Sequence, residues 1–381
     1  MPDTNEGQRP TGSEERISNL DLVRGVAVLG ILLMNVVMYG LGVTPYFNID
    51  ANGSDDWWDR AVGVLGEVLV DQKFMALFSM LFGAGIVVFH ERAIAKGARA
   101  TLLSLWRNAL LLVIGLVHAA FWDGDILTVY ALSAPLLIFA RRFSTRTLLV
   151  LGASTMMLSA VAAVVVQTTV DRAGSDLGEY WTFDGNFSDT VGMWLLVDGF
   201  SRAIGMMLIG VALYRSDVIT GRQSTKFYRR MAAWGIGIGL PLATAGVLFV
   251  SANDFSADVA VIGSVPNTVG TVPGALGYLA LITLWGRRGA TVIGDRLQAA
   301  GRMALTNYLA QTALGLVVLQ GIFDQGNFAR SQLLVFVAGV WALELWWSAA
   351  WLARFRFGPV EWLWRCATYR QLQPLRRDPF E

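Results

Sequence analysis

LDLVRGVAVLGILLMNVVMYG, residues 20–40, opens with one Asp–Arg pair and is otherwise apolar apart from Asn35. At ~1.5 Å per residue, a helix of this length crosses a ~30 Å hydrocarbon layer. Asp21 and Arg24 sit inside the run, and no small-residue cleavage pattern follows it. The segment therefore reads as a retained membrane helix and not as a cleaved signal.

Nine further apolar blocks follow, at 61–90 with a break near Asp71, 103–122, 126–140, 147–168, 191–214, 231–251, 264–285, 303–323 and 333–353. The fold class expected is all-α, a polytopic membrane protein of about ten spans. Residues 1–17 form a polar tail, and the long loop at 170–190 suggests five-helix halves at 18–170 and 191–381. Composition agrees with the class. Only 15% of the 381 residues are charged and mean hydropathy is +0.50, where a soluble chain carries about a quarter charged residues. The 14 tryptophans, many near block ends, fit an interfacial belt.

Arginine and lysine give an independent check. With the N-terminal tail placed in the cytosol, alternation leaves 25 of the 30 basic residues on inner segments. Arg60, Arg172 and Arg330 fall outside, and Lys73 and Arg202 lie within spans. The positive-inside rule thus supports ten spans with both termini cytosolic, as in a bacterial plasma membrane. The single cysteine, Cys366, excludes an intrachain disulfide and a multi-cysteine metal site. No metal site is visible.

Ionisable groups inside spans are costly and therefore candidates for function. Glu67, Asp71 and Lys73 descend the second block, Asp198 and Arg202 occupy the sixth, and Glu344 lies near the centre of the tenth. Asp198 and Arg202 are spaced to pair on one helical face, and Asp21 and Arg24 can pair at the start of the first. Their depths suggest one hydrated cavity opening outward.

Of the two histidines, His90 sits at a helix end, whereas His118 lies within a span just before the corner Trp122-Asp123-Gly124-Asp125. A carboxylate from Asp123 or Asp125 would orient its imidazole as a general base. No Walker loop, dinucleotide fingerprint, HExxH or GxSxG is present. Glycines such as Gly235, Gly237 and Gly239 are expected to let helices approach. The stretch 354–365 alternates cations and aromatics and reads as an interfacial segment, not as a nucleic-acid surface.

Several stretches resemble the YeiB family of bacterial membrane proteins, which carry the DUF418 domain. They are LDLVRG at 20–25 with Asn35, FSMLFG at 78–83, GLVH at 115–118, WDGDIL at 122–127, Tyr130-Ala131, GRMALTNY at 301–308, and FRFGPVEWLWR at 355–365. The resemblance spans nearly the whole chain. It implies a relation to transmembrane acyltransferases such as heparan-α-glucosaminide N-acetyltransferase, whose first-helix motif Asp21-x-x-Arg24-Gly25 and Asn35 match. The histidine those enzymes carry after the first helix has no counterpart at Ser54-Asp55-Asp56-Trp57-Trp58.

The function so implied is transfer of an acyl group from cytosolic acyl-CoA to an outer-facing or lipid-linked acceptor. His118 would be the base, Asp125 or Asp123 its partner, and Asn35 an oxyanion donor. Arg107 and Arg302 would hold CoA phosphates. Asp21, Arg24, Glu67, Asp71, Lys73, Trp122, Asp198, Arg202, Asn307 and Tyr308 would line the cavity. No bound cofactor is expected beyond the co-substrate, and a homodimer is expected only because such dimers are the commonest assembly. The alternative is a transporter or proton-coupled exporter working through Glu67, Asp71, Lys73, Asp198, Arg202 and Glu344.

Overall fold

The computed structural model describes residues 18–172, 174–183 and 185–377. The tail 1–17 with Arg9 and Arg16, and the loop residue Asp184, lie outside them. The described residues form helices α1 (Ser18–Gly40), α2 (Val43–Phe47), α3 (Trp57–Leu65), α4 (Lys73–Ala95), α5 (Ala100–Ala119), α6 (Leu127–Ala140) and α7 (Thr145–Gln167). After the loop come α8 (Asp189–Arg215), α9 (Thr225–Ala252), α10 (Val265–Gly286), α11 (Val292–Arg302), α12 (Ala304–Gly315), α13 (Arg330–Arg354) and α14 (Pro359–Tyr369). No strand occurs among them. Several helices start where a hydroxyl can take the first free amides. Ser144, Ser188, Ser224 and Thr291 accept from Thr147, Val191, Phe227 and Gly294 in this way.

Eight helices among the described residues are long and apolar enough to cross a membrane, so the protein is an all-α, multi-pass membrane protein. The other two expected spans are helical but differ in form. Residues 127–140 make a 14-residue helix, short for a ~30 Å layer. The block at 303–323 is α12 continued by a π-helical segment, Leu316–Ile322. The break expected near Asp71 is present. A π-turn, Gly66–Val70, ends α3, and Gln72 takes a left-handed conformation (φ 63°) before α4 begins.

Helices from both sides of the loop at 170–190 share one packing. The buried cluster containing Leu77, Met80 and Leu81 of α4 draws in Leu20 and Val23 of α1, Met206 of α8, Tyr228 of α9 and Leu279 of α10. Two crossings depend on glycine. A β-carbon on Gly25 would overlap the Leu297 carbonyl, and one on Gly301 would overlap that of Asp21, so α1 and α11 touch backbone to backbone. In the α9–α10 pair, Gly235 and Gly239 meet Gly277 and Gly274, whereas Gly237 faces open space and takes no part in the packing.

Candidate functional site

The α1–α11 contact fixes the first part of a site. It places Arg24 of α1 beside Arg302, the last residue of α11, and both line one basic mouth with Arg92, Arg107, Arg356 and Arg365. The C-terminal motif forms the floor. Gly358 leaves no room for a β-carbon against Glu361, and Pro359 is compatible with the first helical turn of α14. Glu361 then reaches across to cap α12, accepting from the Leu305 and Thr306 amides (2.7 and 3.0 Å) and the Thr306 hydroxyl. Trp364 donates to the Arg107 carbonyl at 2.9 Å, and the Arg107 guanidinium lies between the Trp364 and Phe89 rings, 3.9 and 4.5 Å from their centroids.

Inward from the mouth, the same arginines open onto a second cavity of about 210 Å³. Arg24, Arg107, Arg302, Glu361 and Trp364 line both spaces. Its walls are then apolar, with Ile31, Phe78, Leu81, Phe82, Leu111 and Leu127, and Tyr308 lines it as well. A charged entrance thus leads into an apolar corridor.

Against Tyr308 sits His118, with 5.1 Å between ring centroids. Gly115 explains the spacing of GLVH. A side chain there would collide with the Thr128 backbone, so its absence lets α6 begin against α5 and brings the 125–128 turn to His118. Asp125 Oδ1 lies 2.8 Å from His118 Nδ1, and the carboxylate also accepts from the Leu127 and Thr128 amides. On the other side, His118 Nε2 lies 2.9 Å from the Thr312 hydroxyl, which meets the Tyr39 hydroxyl at 2.9 Å. Because a carboxylate only accepts, Nδ1 is the donor and Nε2 the nitrogen left to take a proton. Hydroxyl, imidazole and carboxylate stand in the order that activates hydroxyl nucleophiles. Trp122 closes the imidazole edge at 5.6 Å.

Burial opposes the charge on Asp125, but hydrogen bonds from His118, Thr128 and Leu127 outweigh it and hold the carboxyl below its usual range. A lowered folded value stabilises the protein above the ordinary carboxylate pKa of about 3.9 and is lost as pH falls through the folded value. The stability gap between wild type and Asp125→Asn should therefore narrow below about pH 4 in detergent unfolding. A gap that stays constant would mean that Asp125 carries no ionic contribution.

The expected residues divide between three places. Asp21 and Arg24 pair at 3.1 Å and line the mouth. Tyr308 lines the corridor, His118, Trp122 and Asp125 are grouped behind its ring, and Asn35 contacts the Tyr39 hydroxyl. Asp123 is exposed in the turn and contacts nothing in the site, so Asp125 alone orients His118. Asn307 is a pin between α12 and α13. It donates to Ser348 at 3.1 Å and accepts from Trp347 at 2.8 Å.

The single outward cavity expected from residue depths is not found. Glu67, Asp71, Asp198 and Arg202 line a separate space at the helix break, with Asn267 beside them. Arg202 pairs with Asp198 at 2.6 Å and donates to Gln72 and Thr268. Lys73 donates to Asn267 (2.6 Å) and to the Glu67 carbonyl (3.0 Å), and Asn267 donates to Asp71. Glu344 is fully buried with Gln311 and belongs to neither group. Thr312 and Tyr39 carried no signal of their own in the sequence.

The DUF418 family, described as proteins of unknown function, matches residues 213–371. The chain is 33% identical to YeiB of Escherichia coli (strain K12), covering 94% of this chain and 98% of that protein. It is 30% identical to YxaH of Bacillus subtilis (strain 168), covering 97% and 98%. Both relatives are described as uncharacterized, and neither description names an activity. Mouth, corridor and histidine site draw in part on the stretches that carried the resemblance, and with similarity over almost the full length of both relatives the chain belongs to the YeiB family of DUF418 membrane proteins.

Proposed function

We propose that the protein is an acyltransferase that takes its acyl group from a CoA thioester seated in the arginine-lined mouth. The observation carrying this reading is the continuity of that mouth with an apolar corridor that reaches Tyr308, the ring against which His118 packs. Arginine forks suit phosphate oxygens. Arg107 and His118 both lie on α5, and eleven residues of helix rise by about 16 Å, comparable to the reach of an extended pantetheine arm. The thioester carbonyl then lies beside His118. The acceptor hydroxyl or amine attacks the carbonyl carbon, and its proton passes through the Thr312 hydroxyl to His118 Nε2. The C–S bond breaks, and the CoA thiolate recovers that proton from the imidazolium.

This reading also takes the basic mouth as cytosolic, with ten crossings, both termini inside and the acceptor reaching the histidine from the opposite side of a bacterial plasma membrane. Titration of CoA and of acetyl- and longer acyl-CoAs into the detergent-purified protein tests it. Thioesters should bind, and free CoA should compete. Arg302→Gln should weaken binding about 10- to 100-fold, the range for a hydrogen bond to a charged group, with little change in turnover at saturation. Absence of binding by any thioester or by CoA overturns the reading. The second reading is transport, favoured by the helix broken at Asp71–Gln72 beside a charged cavity. Movement of unmodified solute in proteoliposomes without thioester would support it.

A further inference from the structure

The charged cavity at the α3–α4 break is unused by the mechanism above, and it does not end where its charges do. Glu67, Asp71, Met34 and Tyr46 line it, and the same four residues line a second, apolar space of about 200 Å³. That second space is walled mainly by aliphatic side chains of α1, α3, the π-turn and α13, with Arg330 at its edge, and reaches the outer surface of the bundle at Leu65 and Leu334, which are half-exposed. In a bilayer this surface faces acyl chains. The two spaces together form one amphipathic slot with a polar head and a tail open to lipid.

Within the polar head the charges are not equally satisfied. Arg202 is paired with Asp198, Asp71 accepts from Asn267 and Tyr46, and Lys73 is held by Asn267 and a carbonyl. The Glu67 carboxylate takes no hydrogen bond and joins no ion pair among the described residues, although it lines both spaces. Lys73 and Arg330 act on it only from a distance, each being hydrogen-bonded to other groups, and a carboxylate removed from bulk water with no direct donor favours a charged donor beside it. Gly66, in the π-turn that carries Glu67, lines the space, and a β-carbon on it would meet nothing within 4 Å. Segments of this kind recur at functional sites.

We infer that the slot binds a membrane lipid whose head group carries a protonated amine, with the ammonium against Glu67 and the acyl chain in the apolar space. The inference stands apart from the acyl-transfer reading, because neither the mouth nor His118 enters it.

Delipidated protein in detergent should be titrated with phosphatidylethanolamine and, in parallel, with phosphatidylglycerol of the same acyl chains. Phosphatidylethanolamine at a hundredfold excess over Kd should raise the Tm by about 4 °C, and phosphatidylglycerol should not. Glu67→Gln removes the counter-ion and should abolish the shift. Gly66→Leu should abolish it as well by filling the slot. Gly66 is in a right-handed helical conformation, so leucine is tolerated there and the lipid-free Tm should not fall. Equal stabilisation by both lipids, or a shift that survives in Glu67→Gln, overturns the inference. Loss of the shift with unchanged CoA binding supports it and leaves the acyl-transfer reading intact.

Discussion

Replacing His118 with alanine is expected to lower the turnover of acyl transfer by roughly 10³–10⁴-fold while leaving acyl-CoA affinity within a factor of about three. Positioned general bases contribute about 10²–10⁴-fold, and the geometry here places His118 at the upper end. Its Nδ1 is held by Asp125 at 2.8 Å, its Nε2 is directed at Thr312, and the ring is fixed between Trp122 and Tyr308. Affinity should persist because the arginine mouth lies many residues away along α5. Single-turnover measurement of CoA release with Thr312→Val beside His118→Ala separates the roles. Thr312→Val keeps the base and removes the hydroxyl between it and the acceptor, so its loss should be smaller, about 10–100-fold. Wild-type turnover in His118→Ala would remove the histidine from the chemistry.

The second large effect is structural. Gly301→Val should leave little folded protein, with a loss of at least about 4 kcal/mol, the range reserved for forced backbone separation or major core damage. The valine side chain would need the space now occupied by the Asp21 carbonyl and the Gly25 amide, and helix backbones cannot yield as a flexible side chain can. Arg24 and Arg302 would be driven apart with them. Gly237→Ala is the matched control. Nothing lies within 4 Å of its added carbon, and helix propensity predicts a gain of about 0.5–1 kcal/mol. Thermal unfolding in detergent reads both, and similar Tm values for the two variants would refute the packing argument.

Much of this was legible because it is local. Hydrocarbon length marks the helices, and Asp71 within an apolar block marks the break at Gln72. The histidine and its carboxylate are seven residues apart on either side of one turn, so GLVH and WDGD foretell the pair. Asp123 or Asp125 could not be separated in that way, because the choice depends on which carboxylate the turn directs inward. The rest is long-range. Thr312 reaches His118 across 194 positions, and the mouth gathers arginines from α1, α4, α5, α11 and the segment around α14. Depth along the membrane normal also says nothing about direction around the bundle. Asp71 and His118 could therefore be assigned to one cavity although Asp71 lines the space at the helix break and His118 packs behind Tyr308. Glycine shows the same limit, since Gly235, Gly237 and Gly239 look alike in sequence and only two of them face a neighbouring helix.

The order of synthesis gives α14 a particular importance. Every helix long enough to cross the membrane has been made by Arg354, yet Arg356, Glu361, Trp364 and Arg365 of the mouth come after it. A chain that stops just after Arg354 has all eight of these long helices, but its mouth has no floor and α12 has no cap. The mouth therefore closes only once α14 follows the last of these long helices.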